Sequence, residues 1–304
     1  MPKGPLIKSK ALTHITEAIA YPPPKYSAYR FEAVIDWIEI KIVLTNASNF
    51  DTVRKRLGVP HVEPLNRGAG GAATEFVFKV HDLTSWKDLD KQLARLTHDH
   101  PLACPPEVIG IEIAFDAYFV QESRAALVSM ASRFYKFSSF VTSHKRRLAG
   151  AVKGTGKALV NVTDVNLGLD TGLNIYIGDR GSDLEQHIYV KVTDNNKRPI
   201  PVKKHRARSE VTLRGAFLPH MSLDEWRKHN FTKEAKFFKY RELKEDLSPV
   251  VESSVSHIAQ VGERRARNRR DGGTRVHSPS TVADAELNAI AYEALRKLTR
   301  HMKA

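Results

Sequence analysis

Alternation of apolar and polar residues along extended segments constrains the fold of this chain more than any other feature of its sequence. It is clearest over residues 108–119, where Phe115 and three isoleucines point one way while Glu112 and Asp116 point the other. The same period of two runs through residues 186–192 and 207–214. A period of two is typical of half-buried β-strands, so these segments predict a sheet with one apolar and one polar face.

Another strand is predicted over residues 33–44, and Asp36 interrupts its apolar face. The apolar face of this strand consists of Val34, Ile38, Ile40, Ile42 and Leu44. Asp36 falls on the same face by simple alternation. A carboxylate there needs a partner, or a position at the end of the sheet where water reaches it.

Helices are predicted between and after the strands. Apolar residues recur at helical spacing from about residue 85 and over 126–134, and shorter strands are predicted at 74–80 and 174–177. The glycine-flanked segment 178–181 predicts a hairpin turn into the strand that carries Tyr189. The fold class is therefore α+β, with a central, largely antiparallel sheet whose apolar face is covered by helices.

Shifts in composition divide the chain into five parts. These are a basic, proline-rich arm (1–29), a main domain (30–223), a helical extension (224–251), an arginine-rich linker (252–280) and a C-terminal amphipathic helix (281–304). The pattern of the last helix leaves open whether it packs on the core or mediates formation of a homodimer.

The charge of the chain favours a polyanionic partner. Its 304 residues include 48 lysines and arginines against 34 acidic residues, for a formal net charge of +14. Such an excess is typical of proteins that contact nucleic-acid phosphates, although a generally basic protein has the same composition. The chain has three separate basic clusters, one of which is Lys145-Arg146-Arg147, and the candidate DNA contacts in the other two are Lys203, Lys204, Arg206, Arg264, Arg265 and Arg267. The last of these clusters is equally compatible with a solubilising linker.

Other compositional features exclude several classes of protein. A single cysteine rules out an internal disulfide or a cysteine-rich zinc site. The chain has no apolar run of about 18 residues, and its start lacks the apolar stretch of a secretory signal. We therefore expect a cytoplasmic protein that does not contact the membrane.

The polar faces of the strands carry the residues that could perform chemistry. They are Glu112 and Asp116 on one strand, His187, Tyr189 and Lys191 on a second, and Arg208 and Glu210 on a third. If these faces coincide, the carboxylates could hold a hard divalent cation and Tyr189 could attack phosphorus. Lys191 and Arg208 would stabilise the developing negative charge. The alternative is an ordinary solvated sheet face, with His187 a surface histidine and Arg208 paired to Glu210.

Read together and in order, the motifs resemble the Rep_trans family of rolling-circle replication initiation factors of plasmids and filamentous phages. The similarity spans about residues 33–218. The matching segments are Ile35-Asp36-Trp37-Ile38, Ile111-Glu112-Ile113-Ala114-Phe115-Asp116, the run from Asn174 to Asp183, Ile188-Tyr189-Val190-Lys191, and Arg208-Ser209-Glu210-Val211-Thr212-Leu213-Arg214.

The resemblance implies a DNA nicking and joining endonuclease at residues 30–223, on a sheet related to that of the HUH endonucleases. Tyr189 would form a covalent 5′-phosphotyrosine at an origin that is single-stranded or extruded as a hairpin, and a host helicase would be a partner. The implied cofactor is Mg²⁺ or Mn²⁺. The implied ligands are Glu112 and Glu210, with Asp116 as a third candidate.

The resemblance also implies DNA contacts within the catalytic domain, and two departures from the family pattern accompany it. The contacts are Arg180, Lys191, Arg208 and Arg214, while Asp36 and His187 are further candidates for the site. The family's acidic strand more often reads Arg-x-Asp, whereas this chain has Gly110-Ile111-Glu112. Val190 replaces the usual acidic or amide residue between the tyrosine and the lysine.

Two other functions remain open at this point. One is a DNA-binding regulator or single-strand-binding protein that uses the same sheet without catalysis. The other is an RNA-binding protein, for which a basic open sheet would also serve.

Overall fold

The computed structural model describes residues 24–68, 71–139, 146–149, 163–178, 181–194, 198–243 and 281–304. Its strands are β1 (Tyr29–Ser48), β2 (Val62–Pro64), β3 (Ala73–Leu83), β4 (Glu107–Phe119), β5 (Arg146–Ala149), β6 (Asn174–Ile177), β7 (Leu184–Lys191), β8 (Thr193–Asp194), β9 (Arg198–Pro199), β10 (Arg206–Arg214), β11 (Arg241–Leu243) and β12 (Thr281–Ala283). Its α-helices are α1 (Phe50–Leu57), α2 (Trp86–Thr97), α3 (Arg124–Lys136), α4 (Thr163–Asp170), α5 (Leu223–Lys228) and α6 (Ala285–Lys303). Short 3-10 segments lie at Tyr26–Ala28, Val202–Lys204, Gly215–Phe217 and Phe231–Phe237.

Eight strands form one sheet in the order β2-β3-β1-β4-β10-β7-β6-β5. Every neighbouring pair in it is antiparallel. β6 and β7 pair as the predicted hairpin, and Gly178 begins its turn with a φ of 117°, which favours glycine. The prediction of an α+β fold around an antiparallel sheet is confirmed.

A β-bulge in β1 changes the direction in which Asp36 points. Against β4, Ile35 pairs with Ile113 but Trp37 pairs with Glu112, so β1 has one extra residue at Asp36. Such an insertion turns the bulged side chain to the other face of the strand. Asp36 therefore lies on the polar face, where it contacts cations, and the prediction that it interrupts the apolar face is wrong.

A second register shift affects the start of β4. Glu39 pairs with Gly110 and Ile40 pairs with Val108, so Ile109 is the extra residue. Val108 is buried at that end of the core, whereas Ile109 is only half-buried. The prediction that Ile109 continues the apolar face is therefore corrected by one residue.

Five of the six helices in the described residues begin where a side chain caps the first turn. The capping oxygens belong to Asn49, Ser85, Ser123, Ser222 and Asp284, each of which accepts a backbone N–H of the following helix. Their apolar residues share one core with the apolar face of the sheet. No helix in the described part of the chain is both long and apolar enough to cross a membrane.

The C-terminal helix α6 packs on that same core. Its apolar stripe is buried and consists of Leu287, Ala291, Ala294, Leu295, Leu298 and Met302. The short β11–β12 pairing places the start of α6 beside the helical extension, and Asn288 bonds both the backbone N–H and the carbonyl of Tyr240. Of the two roles left open for this helix, the structure shows packing on the core. The arginine-rich linker lies outside the described residues.

Candidate active site

Four adjacent strands bring the predicted site residues together on the polar face of the sheet. Cross-strand pairing sets Arg208 of β10 opposite both Asp116 of β4 and Tyr189 of β7. It also sets Glu210 opposite His187. The antiparallel register therefore makes the three predicted polar faces coincide.

Three carboxylates converge at the centre of this face. Oxygens of Asp36, Glu112 and Glu210 all lie within 4.8 Å of one another. Three of the four strands supply one carboxylate each: β1 through its bulge, β4 and β10. Carboxylate oxygens at this spacing suit a hard cation such as Mg²⁺ or Mn²⁺. We refer to these residues as the acidic trio.

The environment of Glu112 is also compatible with a bound divalent cation. Burial, together with the nearby charges of Glu210 and Asp36, raises its pKa to about 8. Hydrogen bonds from the Thr212 hydroxyl, at 2.5 Å, and from Trp37 oppose this rise only in part. Burial and two neighbouring carboxylates thus disfavour the ionised form of Glu112, which a bound divalent cation would favour.

The Tyr189 hydroxyl is held directly beside the trio. It donates a hydrogen bond of 2.7 Å to Glu210 Oε1. His187 Nδ1 lies 2.8 Å from Glu210 Oε2, and because a carboxylate accepts there, this nitrogen carries the proton. The His187 ring stacks between Tyr176 and Tyr189, with centroids 4.2 Å apart on each side. Stacking and hydrogen bonding thus fix the orientation of Tyr189.

Glu210 and Tyr189 have opposite protonation preferences. Burial alone would raise the pKa of Glu210, but its hydrogen bond to His187, followed by the charges of His187 and Arg208, lowers that pKa to about 2. Burial and the charge of Glu210 raise the pKa of Tyr189 well above its usual value. The tyrosine is therefore a neutral hydrogen-bond donor to an ionised glutamate.

Arg208 is buried at the centre of a hydrogen-bond network and is not exposed for contact with a phosphate. Its Nε and Nη2 donate to the two oxygens of Asp116, at 2.6 Å each, and its Nη1 reaches Glu210 Oε1 at 3.1 Å and also Asp36. Burial would lower the pKa of Arg208, but Asp116 and then Glu210 raise it well above the usual range. This guanidinium ties together carboxylates from three strands.

Asp116 belongs with this arginine and not with the acidic trio. It is fully buried, both of its oxygens accept from Arg208, and Arg206 Nε lies 3.0 Å from its Oδ2. The geometry therefore replaces Asp116 with Asp36 as the third candidate metal ligand. Register explains the exchange, because Asp116 pairs directly with Arg208 across the β4–β10 ladder.

Lys191 places a second cation beside the trio. Its Nζ lies 3.5 Å from Asp36 Oδ1 and 3.6 Å from Asp194. The side chain is nearly buried, which strengthens its interaction with a negative charge in the site.

The other predicted DNA contacts occupy different surroundings. Lys203 and Lys204 are exposed in a 3-10 turn, while Arg206 is nearly buried. Arg214 is half-exposed and lies over the Trp37 ring. Arg180, Arg264, Arg265 and Arg267 lie outside the described residues.

Three neighbours of the site have no counterpart among the predicted site residues. Thr212 and Trp37 contact Glu112, and Tyr176 stacks on His187. For all three the signal was present, because alternation along its strand places each residue on the polar face.

The chain matches no family model and no curated protein sequence. Among solved structures it is similar to the rolling circle replication initiator protein from Geobacillus stearothermophilus, at 13% sequence identity and a TM-score of 0.34. The match covers 90% of this chain and 99% of the other. At that TM-score the similarity carries no argument about function, which rests on the site itself.

Proposed function

We propose that the protein is a DNA nicking and joining enzyme that initiates rolling-circle replication, with Tyr189 as its nucleophile. One observation carries the proposal: the Tyr189 hydroxyl lies 2.7 Å from Glu210, which is a member of the acidic trio. A tyrosine beside a carboxylate cluster and cations suits covalent phosphoryl transfer.

The acidic trio is the proposed binding site for Mg²⁺ or Mn²⁺. When bound, such an ion would polarise the scissile phosphate and favour the ionised form of a nearby phenol. Asp36, Glu112 and Glu210 would supply its protein ligands. Arg208 would keep Asp36 and Glu210 in place through its hydrogen bonds to both.

The proposed reaction is a transesterification at phosphorus. The phenolic oxygen of Tyr189 forms a bond to phosphorus while the bond from phosphorus to the preceding 3′ oxygen breaks. The phenol proton leaves along the hydrogen bond to Glu210 and ends on the departing 3′ oxygen. Lys191 stabilises the negative charge of the transition state. Rejoining is the reverse, since attack by the 3′ hydroxyl releases the tyrosine.

A covalent adduct tests this proposal most directly. Wild-type protein and Tyr189→Phe are incubated in Mn²⁺ with a labelled library of single-stranded oligonucleotides, and adducts are sought on a denaturing gel. The matched control is Tyr292→Phe, which removes only the hydroxyl of a half-exposed tyrosine on α6. We expect an adduct with wild type and with the control, and none with Tyr189→Phe or after chelation.

The same experiment separates catalysis from binding alone. A wild-type protein that binds the library tightly, yet forms no adduct with any member, would support the non-catalytic DNA-binding function. In that case chelation and Tyr189→Phe should leave the bound fraction unchanged.

A further inference from the structure

A group of charged and aromatic residues lies on the polar face next to Glu112. We call it the tryptophan cluster: Trp37, Glu39, Lys79, Gly110 and Arg214. Lys79 Nζ lies 3.9 Å from the centroid of the Trp37 ring, and the guanidinium carbon of Arg214 lies 4.9 Å from it. Glu39 holds both cations, at 3.8 and 3.7 Å. Two cations against one carboxylate leave this cluster with a net positive charge.

Gly110 is the residue that lets this cluster form over β4. A Cβ added there would lie 3.1 Å from the Trp37 ring, 3.2 Å from Glu39 Oε2 and 3.3 Å from Arg214 Nε. Any side chain at this position would therefore force Trp37, Glu39 or Arg214 to shift by a few tenths of an ångström. Lys79 and Arg214 each keep about 30% of their side chains exposed, so a ligand can reach both.

A second group lies toward the other end of β4. We call it the tyrosine cluster: Arg30, Glu32, Tyr118 and Arg206. The guanidinium carbons of Arg30 and Arg206 lie 4.2 and 5.6 Å from the Tyr118 centroid. Arg30 pairs with Glu32 and keeps 55% of its side chain exposed. Arg206 pairs with Asp116, which it shares with Arg208.

The two clusters lie on opposite sides of the acidic trio along β4. Gly110, Glu112 and Tyr118 share the polar face because side chains alternate on a strand. Eight residues at about 3.4 Å each place Gly110 and Tyr118 about 27 Å apart. Glu112, and with it the trio, lies between them.

We propose that a single DNA strand lies along β4, with the two clusters contacting its phosphates on opposite sides of the linkage that is cut. This rests on the proposed function and adds the path of the substrate. Cations cover the aromatic rings of both clusters, so the contacts are to phosphate rather than to bases and depend little on sequence. The carboxylates of the acidic trio between them would repel a phosphate unless a bound cation neutralised their charge.

Salt-dependent binding of labelled oligo(dT) tests the path. Fluorescence anisotropy is measured with Tyr189→Phe, which cuts no strand, and with the same protein carrying Lys79→Gln and Arg214→Gln. Each lost phosphate contact on a single strand lowers the slope of log K against log salt by about 0.7. We expect a slope shallower by about 1.4 and an affinity on the order of tenfold weaker at low salt.

The matched control is Tyr189→Phe carrying Lys91→Gln and Arg296→Gln. This pair removes the same formal charge from two helices, and each of its cations also has an acidic partner three residues away. We expect its affinity to stay within about twofold of the parent. Equal losses in the two double variants would overturn the proposed path, because net charge alone would then explain binding.

A variant in the tyrosine cluster provides a second, independent test of the path. Arg30→Gln changes an exposed side chain, so it keeps the test available even if the Lys79 and Arg214 pair fails to fold. We expect its slope to be shallower by about 0.7, and an unchanged slope would overturn the assignment of this cluster.

Failure of the path and failure of the proposed function give different results. If wild type forms the covalent adduct but the cluster variants bind normally, the proposed DNA path is wrong and the proposed enzymatic function is supported. If wild type forms no adduct but the cluster variants bind DNA more weakly and with a shallower salt slope, the proposed DNA path is supported and the proposed enzymatic function is wrong.

Discussion

Two buried clusters in this protein each combine a tyrosine, an arginine and a carboxylate, and we propose different roles for them. In one, Tyr189 and Arg208 contact Glu210 on the polar face of the sheet. In the other, Tyr26 and Arg133 contact Asp284 where α6 begins. Each has a tyrosine hydroxyl donating to a carboxylate that an arginine also holds. We call the first, which contains the proposed nucleophile, the catalytic cluster and the second the structural cluster.

The difference lies in the balance of charge and of hydrogen bonds. Asp284 has one arginine partner, and its other oxygen accepts the Leu287 N–H that starts α6. The catalytic cluster instead sets Glu210 against two further carboxylates, and the pKa of Glu112 rises to about 8 as a result of burial and these neighbours. Both oxygens of Asp284 have hydrogen-bond donors, and this carboxylate stabilises the start of α6. Three neighbouring carboxylates can instead bind a cation.

Replacing the central carboxylate of the catalytic cluster should have the largest effect. Glu210→Gln removes the charge beside Tyr189 and one proposed ligand, while keeping the shape of the side chain. We expect the single-turnover rate of adduct formation to fall by roughly 10³-fold or more. A rate within tenfold of wild type would place the chemistry elsewhere.

The equivalent change in the structural cluster should affect stability instead. Asp284→Asn keeps a good capping residue but breaks a buried ion pair, which typically costs about 3–5 kcal/mol. We expect a lower midpoint of denaturant unfolding, with the adduct yield per folded molecule unchanged. Loss of activity in fully folded Asp284→Asn would contradict the separation of the two clusters.

Metal binding should stabilise the catalytic cluster by a smaller amount. A ligand at 100 times its Kd stabilises the folded state by about 2.7 kcal/mol. We expect Mn²⁺ to raise the melting temperature of wild type, and Asp36→Asn to abolish most of that rise. Glu39→Gln is the matched control, since it removes a carboxylate from the same strand outside the trio.

The remaining prediction concerns the pH dependence of stability without metal. Folded Glu112 keeps its proton up to about pH 8, whereas the ordinary pKa of this carboxyl is 4.5. Between these values the folded state binds more protons than the unfolded state, so stability falls as pH rises and levels off above about 8. Melting temperatures in a chelator should show this decline in wild type. Glu112→Gln should lack it, and an identical decline in the variant would assign it to another group.

Much of the fold followed from patterns that are local in the sequence. Burial on one face of a strand imposes a period of two, so the strands carrying Glu112, Tyr189 and Glu210 were predictable with short errors at their ends. Short elements such as β2 and β5 have too few residues to show a period. The pairing of β11 with β12 joins segments that are distant in sequence, which no local pattern reports.

The sequence by itself determined which residues of β7 and β10, and of β4 from Gly110 onward, share the polar face, because alternation along a regular strand depends only on that strand. Tertiary structure decided which carboxylates meet. The bulge of β1 against β4 points Asp36 toward Glu112 and Glu210. The register between β4 and β10 places Asp116 directly opposite Arg208, with which it pairs. Bulges and register are properties of paired strands, so they follow from contacts between distant segments rather than from the periodicity of either one.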